Sequence, residues 1–493
     1  MAQDPLNNQW RTLDKDLGRI SQLEYATQYV SRPMVGLGIA LAFVVIVGIA
    51  VTIFLGTQTP SPIIIAAAVL GAYMAINIGA NDVANNMGPA VGANALTMGG
   101  AIVIAALFES AGALLAGGDV VSTISKGIIG PESVADTQVF IWAMMAALMS
   151  SALWVNLATW VGAPVSTTHA VVGGVMGAGI AAAGFAAVNW ATMGAIAASW
   201  VISPLLGGVV AAAFLAFIKA HIIYQDDKIA AARRWVPVLI GIMAGVFATY
   251  LAMKGLKRIV SIDLGTALVI GVVIGAVSYA ISAPMIRRQS EGMENRNRSL
   301  KSLFSVPLVF SAALLSFAHG ANDVANAVGP LAAIVHADQF GEFAGSVSIP
   351  NWVMIIGAFG ISFGLVLFGP KLIRMVGSQI TKLNPMRAYC VALSAAITVI
   401  IASWLGLPVS STHIAVGAVF GVGFFREWDT ERRMRKAKKA VSGLPDLAPE
   451  ERRRRKLVRR SHFMTIVAAW IITVPAAALL SAGIFVVIKG ISL

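Results

Sequence analysis

Long apolar runs, separated by short polar segments, make up most of the chain. The runs are continuous rather than alternating, so they do not have the pattern of strands in an outer-membrane barrel. About twenty apolar residues cross a bilayer as a helix, and the pattern therefore predicts thirteen membrane-spanning helices. The predicted spans are 35–56, 62–80, 99–117, 137–160, 164–185, 190–218, 236–253, 264–284, 304–321, 351–369, 386–405, 408–425 and 464–488.

The composition supports a membrane protein and excludes most soluble classes. Of the 493 residues, 57% are hydrophobic and 12% are charged, which is about half the charged share of a soluble domain. The mean hydropathy is +0.79. A single cysteine excludes a disulfide scaffold, and the hydrophobicity excludes disorder. We therefore predict an all-α polytopic membrane protein with about 12–13 transmembrane helices, in an inner or plasma membrane.

Positive charge is concentrated in the polar segments between the runs. The net charge is +13, and residues 427–461 contain thirteen Lys or Arg against six Asp or Glu. With one aromatic residue, this segment does not resemble a nucleic-acid-binding domain. A cytoplasmic loop fits better, and it could also bind anionic lipid. Even numbers of spans separate the basic segments, which places all of them, with the N-terminal segment 1–34, in the cytoplasm.

Two motifs occur twice, in the same order. The string GANDVAN occupies 79–85 and 320–326, while PVSTTH at 164–169 is followed by PVSSTH at 408–413. The copies are 241 and 244 residues apart, so the chain contains a duplication. An odd number of spans separates the copies. The halves are therefore expected to be inverted, with interrupted helices or re-entrant hairpins at the midplane, as in secondary transporters.

These patterns divide the chain into seven expected parts. They are the cytoplasmic N-terminal segment 1–34, an extra transmembrane helix at 35–56, the first inverted repeat at 62–218, connecting helices and basic loops at 219–303, the second inverted repeat at 304–426, the basic cytoplasmic loop 427–461 and a last transmembrane helix at 464–488.

The repeated aspartates are candidate cation ligands. Asp82 and Asp323 lie toward the ends of apolar runs, where inserting a carboxylate costs about 2.5–3.5 kcal/mol. Asn81 and Asn322 add amide oxygens, and the adjacent glycines are expected to loosen the helices and free backbone carbonyls. Such oxygens suit Na⁺, or a proton held on the aspartate. The alternative for each copy is a helix cap.

The PVS motifs are candidate anion sites. Proline favours the first turn of a helix, and the residues after it would present backbone N–H groups at the positive end of the helix dipole. One copy would indicate only a helix start, whereas two copies that face each other could cradle an oxyanion. The hydroxyl donors are Ser166, Thr167, Thr168, Ser410, Ser411 and Thr412.

Three further residues are candidates for coupling. Glu109 lies in mid-span, and the second half of the chain has no acidic counterpart to it. An ionisable residue within a membrane span suggests a function. Asn85 and Asn326, which close the two GANDVAN strings, add amide groups beside the aspartates.

The histidines and Lys126 are expected to have structural roles. We expect His169 and His413 to bond to backbone carbonyls, with proton relay as the alternative. His319 has Ile78 at the equivalent repeat position, which favours a structural role. Lys126 fits an interface lysine. The sequence offers no metal-ligand cluster, nucleotide-binding loop or nucleophile triad, so neither an enzyme nor a cofactor is expected.

Electrostatics connects the two motifs. No Lys or Arg lies in a span near them, and two carboxylates would repel a phosphate dianion, so cations must bind first or together with it. A membrane potential of about 100 mV opposes entry of a dianion by about 4.6 kcal/mol. More than two coupled cations would make entry favourable. Ion-coupled symport is thus favoured over a passive anion channel, which would not line its path with acids, and over a receptor.

The paired motifs resemble those of the inorganic phosphate transporter (PiT) family of sodium- or proton-coupled symporters. The resemblance covers roughly 60–490 and extends to ALFESAGALLAGGDVVSTISKGII and SFAHGANDVANAVGPLAA, which are more similar to the sodium-dependent branch. It implies that phosphate is held by the hydroxyls of the two PVS motifs. It also implies that the coupling cation, Na⁺ or H⁺, is held around Asn81, Asp82, Asn322 and Asp323.

The chain also departs from the family's usual description of twelve spans and an outside N-terminus. The extra apolar run at 35–56 places the N-terminus inside, and segments that begin at Pro164 and Pro408 could be re-entrant hairpins. A homodimer is expected from the habit of membrane transporters. Sulfate remains an alternative substrate, because both ions are tetrahedral oxyanions.

Overall fold

The computed structural model is helical almost throughout the part of the chain that it describes, with one isolated β-bridge between Ile129 and Val188. Outside the described residues lie 1–33 of the predicted N-terminal segment 1–34, 441–459 of the predicted basic loop 427–461, the predicted hairpin start Pro164 and the side chain of Lys126. The described residues are 34–53, 61–130, 133–134, 136–163, 165–255, 262–341, 349–379, 383–440 and 460–492.

Sixteen helices are named here in chain order among these described residues. They are α1 (Met34–Ile53), α2 (Pro62–Asn81), α3 (Val83–Gly92), α4 (Met98–Ala116), α5 (Gly118–Ser122), α6 (Thr137–Val161), α7 (Thr167–Ala183), α8 (Trp190–Ile218), α9 (Lys228–Tyr250), α10 (Leu264–Gln289), α11 (Asn297–Leu303), α12 (Ser305–Phe340), α13 (Asn351–Gln379), α14 (Pro385–Trp404), α15 (Ser411–Ala440) and α16 (Arg460–Ser492).

Eleven helices in the described part of the chain are long and apolar enough to cross a membrane. The other two of the thirteen predicted runs correspond to α7, which has 17 residues, and to α15, whose second half is charged. The protein is therefore an all-α, multi-pass membrane protein. The inversion of the two halves and the boundaries of the seven parts stay predictions.

The helices α7 and α15 are second arms of two helical hairpins. Tight turns join α6 to α7 and α14 to α15, and each turn has a glycine in the left-handed region, Gly162 with φ 83° and Gly406 with φ 68°. A side chain there would strain the backbone. The bridge between Ile129 and Val188 brings the segments flanking the first hairpin together, as expected for a hairpin that enters and leaves on one side.

Glycines of the GANDVAN strings permit close helix packing. A Cβ atom on Gly79 would lie 1.8 Å from the Ile361 carbonyl oxygen in α13, and one on Gly320 would lie 2.1 Å from the Glu109 carbonyl oxygen in α4. The expected loosening of the helix is found only in the first copy, where α2 ends before Asp82. In the second copy, α12 continues without a break, so there the glycine provides contact rather than flexibility.

Candidate functional site

All four motif copies meet in one polar cluster inside the apolar core. Asp82 and Asp323 are each 1% exposed, and the six predicted hydroxyl residues and the motif asparagines are also buried. Buried polar groups are costly unless they find partners. The contacts within this cluster therefore determine what it can bind.

Asp82 receives hydroxyl groups from both PVS motifs. Thr167 Oγ1 donates to Asp82 Oδ2 at 2.6 Å, and Thr412 Oγ1 donates to Asp82 Oδ1 at 2.9 Å. These two threonines are 245 residues apart in sequence, so one carboxylate joins the tips of both hairpins. At the other aspartate, Ser411 Oγ donates to Asp323 Oδ2 at 3.3 Å.

The last asparagine of each GANDVAN string makes hydrogen bonds to the opposite half of the chain. Asn85 Nδ2 donates to Thr412 Oγ1 at 2.9 Å, while Asn326 Nδ2 lies 3.1 Å from both Thr167 Oγ1 and Thr168 Oγ1. Each asparagine thus contacts the PVS motif of the opposite half. The equivalent bonds recur at the repeat offsets, as a duplication predicts.

Asn81 and Asn322 support the hairpin turns. Asn81 Nδ2 donates to Thr159 Oγ1 at 2.9 Å and to the Ala163 carbonyl at 3.3 Å. Asn322 Nδ2 donates to Ser403 Oγ at 3.0 Å and to the Leu407 carbonyl at 3.3 Å. The two sets match position for position. Their amide oxygens were predicted to ligate cations, but Asn81 Oδ1 already accepts a hydrogen bond from a backbone N–H of its hairpin turn.

The hydroxyls predicted to bind an anion already have internal partners. Thr168 Oγ1 donates to the Val409 carbonyl at 3.0 Å, and Thr167, Thr412 and Ser411 donate to the aspartates. Ser166 and Ser410 cap the two helices, accepting the backbone N–H of the histidine that ends each motif. An oxyanion would have to take the hydroxyl protons of Thr167, Thr168, Ser411 and Thr412 from their present acceptors, whereas the two capping serines act here as acceptors.

Glu109 and His319 make the two aspartates unequal. His319 Nδ1 is 2.5 Å from Glu109 Oε2, and His319 Nε2 lies 3.0 Å from Asp323 Oδ2, although without hydrogen-bond alignment. Asn86 Nδ2 donates to Glu109 Oε1 at 2.9 Å. At the corresponding positions of the other half lie two buried isoleucines, Ile78 as the repeat counterpart of His319, and Ile361, whose carbonyl faces Gly79 as that of Glu109 faces Gly320.

The sequence analysis missed the part played by His319 and Asn86. His319 was assigned a structural role because its repeat counterpart is Ile78. Its position four residues before Asp323 places both side chains on one face of a helix, and this spacing was the available signal. Asn86 lies next to Asn85 and follows the end of the GANDVAN string, so the motif did not mark it.

The two motif histidines form part of a column of four rings. The His169 and His413 ring centroids are 4.4 Å apart, His169 lies 3.8 Å from Trp200, and His413 lies 3.6 Å from Trp470. The predicted bond to a carbonyl is wrong for His413, because neither of its ring nitrogens has a hydrogen-bond partner among the described residues. The column joins the two PVS helices directly.

The cluster has the donor atoms that a cation would need. Ligand atoms of Asp82, His319 and Asp323 all lie within 4.8 Å of one another. Asp323 Oδ1 and Asn86 Oδ1 are buried oxygens with no hydrogen-bond partner among the described residues. Orphaned carboxylate and amide oxygens fit a small hard cation such as Na⁺.

Comparisons with known proteins agree on one family. The phosphate transporter family model matches residues 78–481. A Helicobacter pylori (strain J99) protein named "Putative phosphate permease" is 44% identical over 96% of this chain and 98% of its own length. A Pyrococcus abyssi relative of the same description is 37% identical over 85% of this chain and 96% of its own.

A solved structure shares the fold. It is titled "The sodium-dependent phosphate transporter", matches with a TM-score of 0.78 and 35% identity, and covers 87% of this chain and 100% of its own. With the paired motifs in one buried cluster and the helices of a multi-pass membrane protein, these matches identify the chain as a member of the phosphate transporter family.

Proposed function

We propose that this protein imports inorganic phosphate as a symporter, coupled to Na⁺. The observation that carries the proposal is the double hydroxyl contact at Asp82, where Thr167 and Thr412 of the two PVS motifs donate to a single carboxylate. These contacts link the candidate cation ligand to the candidate phosphate ligands. The binding of one ion can therefore change the groups available to the other.

The proposed coupling is a change of hydrogen-bond acceptor. Without a cation, the negative charge of Asp82 attracts the hydroxyl protons of Thr167 and Thr412. When Na⁺ binds at Asp82, it neutralises that charge and weakens both hydrogen bonds. The hydroxyls can then rotate and donate to phosphate oxygens, with backbone N–H groups of the helix N-termini adding to the cradle.

The same arrangement disfavours phosphate without cations. A phosphate dianion beside Asp82 and Asp323 would bring several negative charges into a site of low dielectric, where repulsion is weakly screened. No Lys or Arg in the spans around the motifs can offset that repulsion. Cation binding first, or at the same time, removes it.

The proposed assignments follow the contacts. Na⁺ would bind around Asp82 and Asp323, with Asn81 and Asn322 holding the hairpin turns beside them and Glu109, Asn85 and Asn326 transmitting occupancy between halves. Phosphate would bind to the hydroxyls of Ser166, Thr167, Thr168, Ser410, Ser411 and Thr412. Transport needs no covalent step, so we propose no enzymatic reaction.

The choice of Na⁺ rests on two supports. The solved relative is titled a sodium-dependent phosphate transporter, whereas the names of the bacterial and archaeal relatives specify no cation. The orphaned oxygens of Asp323 and Asn86 add a chemical argument, because carboxylate and amide oxygens suit a hard cation.

Reconstituted flux tests the proposal. Radiolabelled phosphate uptake into proteoliposomes would be measured under an imposed Na⁺ gradient, under an imposed pH gradient, and with excess sulfate as competitor. We expect concentrative uptake driven by Na⁺ and insensitive to sulfate. Uptake driven only by the pH gradient would make this a proton-coupled permease, inhibition by sulfate would change the substrate class, and no concentrative uptake under either gradient would favour a channel or a receptor.

A further inference from the structure

A short segment, 117–127, follows α4 and contacts the second half of the chain on two sides. It consists of Gly117, α5 and one π-helical turn, Thr123–Gly127. The proposed exchange of hydrogen-bond acceptors uses none of its residues. We call 117–127 the lid segment, because its contacts place it beside the second candidate cation ligand.

The lid segment packs along α12 next to Asp323. A Cβ atom on Gly117 would lie 2.5 Å from Val324 Cγ1, and Val324 directly follows Asp323. Further along α12, a Cβ atom on Gly329 would lie 2.7 Å from Ile124 Cγ2. Contacts this close leave no space for an ion to pass between the lid segment and α12.

The same segment also holds the turn of the second hairpin. Thr123 Oγ1 donates to the Gly406 carbonyl at 2.7 Å, and a Cβ atom on Gly406 would lie 3.8 Å from the Asp119 carbonyl oxygen. The next carbonyl of this turn, that of Leu407, accepts a hydrogen bond from Asn322 Nδ2. The turn is therefore held by the lid segment and by the motif cluster at once.

An ion pair ties the lid segment to the end of α9. Lys254, in the helical turn that follows α9, is paired with Asp119, and their side chains are 13% and 33% exposed. Salt screens a partly buried pair less than an exposed one. The basic segments place this end of α9 on the outer side, where lysine is less frequent. Pairing with Asp119 accounts for a lysine at this position.

Two glycines give the lid segment a hinge. The helix α4 ends at Ala116, and Gly117 and Gly118 precede the rest of α5. No described atom outside its own helix lies within 4 Å of the Cβ position of Gly118. Glycine can absorb the changes in φ and ψ that a hinge requires. Rotation here would lift the rest of the lid segment as one piece.

We propose that Lys254 and Asp119 form a latch that keeps the lid segment closed over Asp323 and the turn of the second hairpin. When the pair separates, the hinge lets the segment turn away from α12, Thr123 releases Gly406, and the cluster opens toward the predicted outer side. Both latch residues are positioning residues, because they act on the cluster through the lid segment. The inference rests on the proposed function, since it concerns access to the proposed binding site.

Thiol labelling of the purified full-length protein measures this opening. The parent protein carries the reporter Val121→Cys in a Cys390→Ser background, which leaves one thiol. Val121 lies in the lid segment and is fully buried, so a maleimide reacts with this thiol only when the segment lifts. Labelling is followed in choline, without Na⁺ or phosphate. It can therefore fail while reconstituted uptake succeeds, and the reverse.

Breaking the ion pair should speed labelling. We expect Asp119→Asn or Lys254→Gln to raise the labelling rate about tenfold, which corresponds to the loss of roughly one hydrogen bond between charged groups. The double variant Asp119→Asn with Lys254→Gln should label no faster than either single variant, because the same pair is lost in each. The exchange of the two charges, Asp119→Lys with Lys254→Asp, should return the rate to within about threefold of the parent.

Two controls separate the latch from general effects. Asp263→Asn removes a charge from the exposed N-cap of α10, on the same predicted side, and keeps the cap, so it should leave the labelling rate unchanged. A second reporter, Leu148→Cys, lies buried in α6, outside the lid segment. It should label equally slowly with and without the latch substitutions.

Three results would overturn the proposal. They are parental labelling rates in both single variants, an exchange of charges that labels as fast as the single variants, and an equal acceleration of the Leu148→Cys reporter or of Asp263→Asn.

Salt tests the latch if the neutral variants do not fold. Raising choline chloride from about 0.1 M to about 1 M shortens the Debye length to about 3 Å, so labelling of the parent should become faster. Lys254→Arg keeps the charge and should show the same dependence. A labelling rate that is independent of salt would contradict an ion-pair latch.

Discussion

Asp82 and Asp323 occupy equivalent positions in a repeated motif, yet their surroundings differ. Asp82 accepts two threonine hydroxyls, whereas Asp323 accepts one serine hydroxyl and lies beside His319. The duplication created two similar sites, and single-copy residues then made them unequal. For the proposed transporter, we therefore predict that the two aspartates differ in their affinity for Na⁺.

Glu109→Gln tests this inequality. The substitution keeps the side-chain volume but removes the carboxyl group that contacts His319 Nδ1, so we expect His319 to be held differently beside Asp323. We expect the half-saturating Na⁺ concentration for uptake to rise about tenfold, with a smaller change in the phosphate KM at saturating Na⁺. Flux assays at varied Na⁺ measure both values.

Ile361→Val is the matched control, because Ile361 packs at the corresponding place in the other half. It should lower stability by about 1 kcal/mol and leave the Na⁺ dependence unchanged. An equal effect of both substitutions on Na⁺ dependence would show that packing, rather than the carboxyl group of Glu109, is responsible.

Ser410→Ala combined with Ser411→Ala tests the phosphate assignment. Ser410 caps α15 and Ser411 donates to Asp323. The double substitution therefore removes two of the three candidate phosphate-binding hydroxyls of the second PVS motif. We expect the phosphate KM to rise about tenfold or more, the usual cost of losing a hydrogen bond to a charged group. An unchanged KM in a folded variant would remove these residues from the site.

Among single residues, the sequence singled out the repeated ones and missed those that occur once. Asp82, Asp323 and the hydroxyl residues recur at nearly constant offsets, and the fold brings them into one buried cluster. The partnership of Glu109 with His319 joins residues 210 positions apart. No repeat and no local spacing connects them, and only the packing of α4 against α12 does so.

At the scale of helices, glycine contacts bind the two halves together. Gly79 packs on α13 and Gly320 packs on α4. Each partner helix also has a glycine at the contact, because Gly364 of α13 packs on the Ile76 carbonyl and Gly112 of α4 packs on the Phe317 carbonyl. Backbones in such contact leave no volume for a side chain. These close contacts, of α2 with α13 and of α12 with α4, fix the distances between the motif helices and their partners.

Gly79→Ala tests the contact between α2 and α13. The added Cβ would lie 1.8 Å from the Ile361 carbonyl oxygen, so the helices must separate, and we expect a loss of roughly 1–3 kcal/mol of stability. Gly99→Ala in α4 is the control, because nothing lies within 4 Å of its Cβ position. It should be neutral or slightly stabilising. Chemical denaturation followed by tryptophan fluorescence compares the two, and equal effects would contradict the packing role.

The contact between the two hairpins can be tested by cross-linking. His169 and His413 have ring centroids 4.4 Å apart, so His169→Cys with His413→Cys, in a Cys390→Ser background, should be joined by a short bis-methanethiosulfonate, whose disulfide bonds to the two cysteines a reductant cleaves. If the PVS helices move apart during transport, the cross-link should abolish uptake and a reductant should restore it. Either single cysteine variant serves as the control. Full uptake by the cross-linked protein would show that this contact does not open.

Hydropathy predicted where the helices lie better than it predicted which of them cross the membrane. It identified thirteen apolar runs, but it could not separate spanning helices from the arms α7 and α15, because length and composition say nothing about where a helix ends in the fold. It also ended one span at residue 321, whereas α12 continues to Phe340. The polar residues that lowered the hydropathy there are buried against the PVS motifs.

At the scale of the whole molecule, the duplication explains the shape of the site. Bonds at Asn81 and Asn322, at Asn85 and Asn326, and at the two aspartates recur in both halves. Each half also contacts the PVS motif of the other. If cation binding at Asp82 releases hydroxyls to phosphate, as proposed, each ion must raise the affinity of the protein for the other.

This coupling can be measured as the equilibrium binding of radiolabelled phosphate to the purified protein, in Na⁺ and in choline at constant pH and ionic strength. We predict that the wild type binds phosphate about tenfold or more tightly in Na⁺, and that Asp82→Asn, which lacks the charge that holds Thr167 and Thr412, loses most of this dependence. Phosphate affinity that is the same in Na⁺ and choline for the wild type, or an Asp82→Asn variant with the full Na⁺ effect, would contradict coupling of the two ions through Asp82.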